Sequence, residues 1–273
     1  AQTLSTWLDA ERDATASGQP HAPRAHRETV LLLSLIRSLL GQAASAFALA
    51  SEGTGIGERL GSPFVTAVAH IRLGHAWQAR ARGEHDARPA RDRAIQEYQA
   101  AIALGDQLSV RRIRAEALWG LTLAHGLFGD LGAAERAATE GLGICRWAGD
   151  QWVGALTELS LGASLVCAAR HSEGLDVLGR ALQAFRDCGD PFGSAATRLW
   201  QCLAHHEAGA AESFSMPVED LLTLCETHGY DTLLTGPTLL GPPDPRRIVP
   251  VLLAARARAV RPAYVDRLLA EVG

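Results

Sequence analysis

Three residue triplets recur in step through the middle of this chain. Ala94, Tyr98 and Ala101 are followed by Ala134, Ala138 and Gly141, then by Gly174, Leu178 and Ala181, each set 40 positions after the one before. Gly149-Asp150 and Gly189-Asp190 keep the same step, as do Leu121 and Leu161. A period of this length is that of stacked helix pairs. One unit is legible between Ala115 and Asp150. Leu118, Leu121, Ala124, His125 and Phe128 recur at spacings of three and four, and so do Ala134, Ala138, Gly141, Leu142 and Cys145. The pattern predicts helices over Ala115–Phe128 and Ala133–Trp147, joined at Gly129-Asp130, where glycine can end one helix and aspartate cap the next. The small side chains let the two backbones approach closely. One such hairpin cannot bury its own apolar faces, so it requires neighbours.

The spacing x, x+4, x+7 resembles the second helix of a tetratricopeptide repeat. Arg72-Leu73-Gly74-His75-Ala76-Trp77 and Leu161-Gly162 resemble the Leu-Gly step of its first helix. The expected fold is all-α: a right-handed α-α superhelix of about five to six hairpins with a C-terminal helical cap. Repeats would occupy residues 1–229, and a leucine- and proline-rich segment with the cap residues 230–273. Composition agrees, with 47% hydrophobic but only 5% aromatic residues. A formal net charge of −4 gives no case for non-specific attraction to nucleic acid. The sequence contains no lysine, which excludes a phosphate-loop, Schiff-base or general-base lysine within it. Cys145, Cys167, Cys188, Cys202 and Cys225 form no CxxC pair and read as reduced core residues of a cytoplasmic protein. The start is polar, without a secretory signal, and the apolar run Val30–Leu40 includes Arg37 and is too short to span a bilayer. The opening, inside what reads as half a hairpin, suggests a piece of a longer polypeptide.

In chain order, one amphipathic helix ends near Gly18, and HAPRAHRE leads into a helix at about Ala25–Leu40. A partner carries Ala44, Phe47 and Ala48 towards Ile56. Pro63 opens a helix over 63–81, whose partner begins near Ala90 after the charged insertion ARGEHDARP, read as an exposed loop. Helices at Gln151–Ala169, Glu173–Cys188 and Pro191–Ala208 follow. GAAESFSMP then delays the next partner to Val218–His228. YDTLLTGPTLLGPPDP carries Tyr230, Leu233, Leu234, Leu239 and Leu240, and is expected to run extended along the end of the solenoid, covering its last apolar face. Helices at about Arg246–Ala259 and Pro262–Val272 close the chain.

Spans such as SPFVTAVAHIRLGHAWQ, AGDQWVGALTELSLGASLV and GYDTLLTGPTLLGPPDPRRIVPVLLAARARAV resemble the repeat region of large bacterial transcriptional regulators. These are LuxR-like or maltose-activator-like proteins and relatives bearing a bacterial transcriptional activator domain. The resemblance covers most of residues 27–273. It implies a superhelix that senses an inducer or partner, linked elsewhere to a nucleotide-binding switch and a DNA-binding module. Residues 1–273 contain no GxxxxGK[ST] loop and nothing that reads as a recognition helix, so this arm would make no direct nucleic-acid contact.

First helices of stacked hairpins line the concave wall, the default binding surface. By register Arg72, His75, Gln78, Trp119, Leu123, Gly126, Glu158, Arg198 and Gln201 are candidates to meet a small inducer, a peptide or protein partner, or another domain of the same polypeptide. Trp119 sits beside the Leu118/Leu121 stripe, where it would either stack on a ligand or pack between hairpins. Trp77 reads as packing. His70 and His75 flank Arg72, a pattern suited to phosphate or carboxylate, though a spacing of five argues against a metal pair. His205-His206 point apart, and His125 reads as a hydrogen-bonded core residue. Arg246, Arg247, Arg256, Arg258, Arg261 and Arg267 make the cap basic, with interspersed acids favouring an intramolecular contact over a DNA groove. Gly53-Thr54-Gly55-Ile56-Gly57 lacks the strand that a dinucleotide loop needs. No catalytic constellation, metal or cofactor is expected. The leading expectation is a non-enzymatic sensor or scaffold arm of a regulator; the alternative is a constitutive protein-interaction scaffold without an inducer.

Overall fold

The computed structural model describes residues 2–16, 23–82, 87–210 and 214–272, and among these it contains helices and no strands. The end of the first helix near Gly18, part of HAPRAHRE, the centre of ARGEHDARP and part of GAAESFSMP lie outside the described residues. α1 (Gln2–Ala16) precedes five hairpins: α2 (Pro23–Leu39) with α3 (Ala43–Arg59), α4 (Pro63–Ala81) with α5 (Arg88–Gln107), α6 (Arg111–Gly126) with α7 (Leu131–Ala148), α8 (Gln151–Cys167) with α9 (His171–Asp187), and α10 (Pro191–Glu207) with α11 (Ser215–His228). Each helix packs on the next in sequence, and first helices also pack on the first helix of the following pair, which builds a helical-repeat superhelix.

The punctuation between helices follows the sequence. Gly149 and Gly189 take the left-handed conformation with φ near +70°, and Asp150 and Asp190 then cap the next helix by accepting from Val153 N at 3.2 Å and Gly193 N at 2.9 Å. Asp130 caps α7 in the same way, through Ala133 N at 3.0 Å. Ser109 and Ala169 adopt the same left-handed turn without glycine. α6 begins four residues earlier than its apolar stripe announced. Arg111, Arg112 and Arg114 supply a polar first turn that periodicity does not register, and there Arg114 pairs with Asp106 and Glu140.

All nine residues of the recurring triplets are buried. Tyr98 shows what the small residues are for. Its ring, with no exposure, lies between α4 and α6, where glycines face it. A Cβ at Gly74 would fall 2.5 Å from the ring and one at Gly120 2.3 Å, closer than carbon atoms pack. Gln78 Nε2 donates to the Tyr98 hydroxyl at 2.8 Å and to the Gly120 carbonyl at 2.9 Å, so one amide joins three helices. Two glycines of α3 belong to the same logic: a Cβ at Gly53 would strike Leu31 of α2 and one at Gly57 would strike Thr66 of α4, so both serve packing between helices.

After α11 the chain forms α12 (Asp231–Thr235), an irregular stretch, a 3-10 turn (Pro245–Ile248), α13 (Val249–Ala257) and α14 (Pro262–Val272). The expected extended course therefore begins only after α12. Two of the cap's arginines reach back onto the repeats, Arg247 pairing with Glu207 at 2.5 Å and Arg261 with Glu226, while Arg267 pairs with Asp231 of α12 at 2.8 Å. Tyr264 donates to the same Asp231 at 2.7 Å. The intramolecular role expected for this basic surface is what these pairs perform. The cap shares one apolar core with α8, α9, α10 and α11. No helix among the described residues is long and apolar enough to cross a membrane.

Gly120→Ala is expected to lower the unfolding free energy by about 1–3 kcal/mol, because the added methyl has only the Tyr98 ring to displace. Gly143→Ala, on the exposed face of α7 with open space around it, should instead gain roughly 0.5–1 kcal/mol. Urea unfolding of both variants checks the pair.

Candidate functional site

The face shared by the first helices of the hairpins is the inner wall, and it is not bare. Residues 236–241 cross it as a strap. Leu239 N–H donates to the Ser38 carbonyl at the end of α2, at 3.2 Å. The Leu239 carbonyl accepts from Arg82 Nη2, just past α4, at 2.8 Å. The Leu240 carbonyl accepts from the indole N–H of Trp200, on α10, at 2.8 Å. Gly41, in the turn after α2, comes so near that a Cβ there would lie 2.9 Å from the Pro237 carbonyl oxygen. Thr238, Leu239 and Leu240 are buried, and the two leucines join a core that contains Leu35, Trp119 and Leu123. The segment expected to cover only the last repeat thus runs back along the wall to the first hairpin. Main-chain groups hold it, and polar side chains of the wall supply two of the three bonds.

The predicted residues do stand on the first helices, where all are buried except the half-buried Glu158. Those with polar atoms in their side chains fall into two groups. Glu158, Arg198 and Gln201 tie neighbouring helices. Glu158 accepts from Arg180 of α9 at 2.8 Å, while Arg198 donates to Gln201 at 2.8 Å and to Asp220 of α11 at 2.5 Å. Leu123 and Gly126 are packed into the wall.

Arg72, His75, Gln78 and Trp119 form the second group, on adjacent turns of α4 and on α6. The His75 ring lies 4.5 Å from the Trp119 ring and 5.6 Å from Tyr98, centroid to centroid. Neither ring nitrogen of His75 has a hydrogen-bond partner. The same is true of Trp119 Nε1, Gln78 Oε1, and Arg72 Nε and Nη1, all buried. Arg72 keeps one ion pair, Nη2 to Glu116 at 3.2 Å. Burial, and then the neighbouring Arg72 charge, hold the His75 pKa well below its ordinary value, so the ring is neutral near pH 7. A neutral imidazole, an indole N–H, an amide oxygen and a guanidinium edge offer both donors and an acceptor to a polar guest. Unpartnered buried polar atoms cost about 1–3 kcal/mol each, so their gathering in one patch is informative.

Other histidines stand apart. His70 meets Glu97 at 2.6 Å rather than joining Arg72 and His75. His125 was expected to be a hydrogen-bonded core residue, but it is half-buried, with Nδ1 unpartnered and 3.8 Å from Asp130. Its place at the last turn of α6 carries it out of the apolar stripe. His206 is exposed near Phe214. No three histidine, cysteine or acidic residues among those described converge as a metal site. Trp77 packs edge-on against Phe47 at 5.1 Å, as its spacing implied. Sequence reasoning did not select Arg82, Trp200 or Thr238. Arg82 extends the Arg72–His75–Ala79 stripe by one further step of three and was legible there. Trp200 carried no such mark.

No protein-family model matches the chain, and no curated protein matches it.

Because the folded protein resists protonating His75, the unfolded chain takes up that proton more readily. Stability is therefore full above the ordinary histidine value near 6.5 and falls as pH drops below it, by up to ~1.4 kcal/mol per pH unit. His125 and His205, also lowered by burial first, add to the same trend. His75→Phe should flatten part of this slope between about pH 6.5 and 5. Thermal unfolding at stepped pH reads it, and an unchanged slope would mean that His75 is not the buried neutral ring described.

Proposed function

We propose that this chain is a non-enzymatic binding arm of a bacterial regulator, taking a small polar inducer or a partner segment on the inner wall of its superhelix. The observation that carries the reading is the patch of Arg72, His75, Gln78 and Trp119, whose buried polar atoms lack partners on a wall that the strap crosses at Arg82 and Trp200. A guest that satisfies those atoms favours the arrangement of helices and strap that best presents them. It shifts the arm only by its difference in affinity between two arrangements. The likeness of the repeats to the sensor region of large transcriptional regulators supports a linked transcriptional effector. A module for nucleotide or DNA binding encoded beside residues 1–273 would strengthen that link.

A second reading, the constitutive scaffold, is favoured by the filling of the wall. If the strap never leaves, partners meet outer faces such as the exposed Trp147, over which Arg111 stacks at 4.0 Å.

Calorimetry and thermal-shift measurement against a metabolite panel and against the flanking polypeptide separate the two. On the sensor reading, Trp119→Phe combined with Arg72→Met weakens the ligand found by about tenfold or more, since charged and polar hydrogen bonds are lost while bulk is kept. Binding that is indifferent to the double change, but lost in Trp147→Ala, would move the function to the outer face.

A further inference from the structure

Arg82 caps the C-terminal end of α4 and is buried to 4% exposure. Among the described residues its guanidinium makes one bond, from Nη2 to the Leu239 carbonyl, and Nε and Nη1 have no partner there. No carboxylate among the described residues pairs with it. Burial lowers its pKa to about 10, a fall opposed by Cys167 and Tyr98 and by no acid among the described residues. A buried cation without a counter-charge is among the costliest features a fold can carry. One fork of the guanidinium, an Nη2 hydrogen with either Nε or Nη1, remains unused, and that is the geometry that takes two oxygens of a carboxylate.

The surroundings supply the remainder of a site. Arg82 borders a solvent-open cleft of about 670 Å³, whose walls include Phe128, Pro237, Pro243 and Val272. Arg246 lines the same cleft and has no ion partner among the described residues. The two acids of the cleft are already engaged: Asp244 accepts from the backbone of Arg246 at 2.9 Å, and Glu271 pairs with Arg267 at 3.2 Å. Across Pro237 lies a second cleft of about 460 Å³, also bordered by Arg82 and walled by Ala43, Phe47 and Ala76. The arginine therefore stands where two clefts meet, separated by a single residue of the strap.

We propose that Arg82 is the anchor of a binding site for an organic carboxylate with an apolar body. The carboxylate pairs with the free fork of Arg82 while Arg246 adds charge at the mouth, and the body lies on Phe128, Pro237 and Val272. Nε and Nη1 are sealed in the present arrangement, so the anion reaches them as the strap gives way at Pro237. The inference rests on the reading of the inner wall as a binding surface and names the ligand class taken at its α4 end.

The probes are 4-phenylbutyrate, its neutral amide and inorganic phosphate, with binding read by calorimetry and melting temperature on the full chain. The acid should bind and raise the melting temperature, and the amide should bind at least about tenfold more weakly, as loss of one charge-assisted pair requires. Phosphate, lacking the apolar body, should also bind more weakly than the acid. Arg82→Met should abolish discrimination between acid and amide, and Arg246→Gln, at an exposed position that leaves the core intact, should weaken the acid severalfold. Should Arg82→Met not fold, the acid-to-amide ratio in the wild type and the Arg246→Gln effect decide alone. No binding of the acid, equal binding of acid and amide, or full acid binding by Arg82→Met would each overturn the proposal. A panel metabolite lost in Trp119→Phe with Arg72→Met, while phenylbutyrate binds nowhere, would overturn it and leave the wall reading standing.

Discussion

The stack depends on how closely α4 and α6 approach the ring of Tyr98. Two glycines, one on each helix, leave the space that a single aromatic side chain fills, and Gln78 stitches the hydroxyl to the Gly120 carbonyl. Packing of this kind has little tolerance, because interiors are close-packed and a methyl group has nowhere to go. The same device returns with other volumes down the chain. Leu178 presses on Gly162, and Phe185 on Gly193, each side chain from a second helix entering a notch in a first helix. The recurrence of the step, rather than the identity of the side chain, sets the pitch of the superhelix.

With the first helices fixed in this way, their shared face becomes a wall, and the strap decides what that wall can do. A stack of hairpins alone is quasi-one-dimensional, each unit touching its neighbours. The strap departs from that rule by joining α2, α4 and α10 through Ser38, Arg82 and Trp200. It also accounts for the exposure pattern. Arg82, which would face solvent in an uncovered solenoid, is sealed by the strap and ends up with fewer partners than it has donors. Two kinds of polar residue can be told apart on that wall. Glu158, Arg198 and Gln201 are bonded to their neighbours and hold helices together, with only Nε of Arg198 unpaired, whereas Arg72, His75, Gln78, Trp119 and Arg82 gather unpartnered buried atoms side by side, and it is the second kind that points to a guest.

Much of this was legible beforehand. Triplets 40 residues apart, Gly-Asp turns and the Leu-Gly steps announce helix pairs and their register, because side-chain volume at buried positions is written directly in the sequence. The first helices were identified as the wall for the same reason. Its closure was not legible. Periodicity reports which face of a helix is apolar, but it is silent on a strap that comes from well over a hundred residues away and is held by main-chain atoms common to every residue. Leu239 and Leu240 marked the strap as needing burial; nothing local showed that Ser38 and Arg82 would receive it. Arg82 was passed over because it lies in the charged insertion ARGEHDARP, read as an exposed loop, whereas it is buried.

The strap also has a bearing on how the chain comes into being. Residues 236–241 leave the ribosome after the five hairpins from α2 to α11, so the wall that they cover is made first and stands unprotected until they arrive. Until then Leu35, Trp119 and Leu123 lack the leucines that complete their core. The nascent protein therefore passes through an interval in which this apolar surface is open to whatever is nearby, and the arrival of the strap brings that interval to a close.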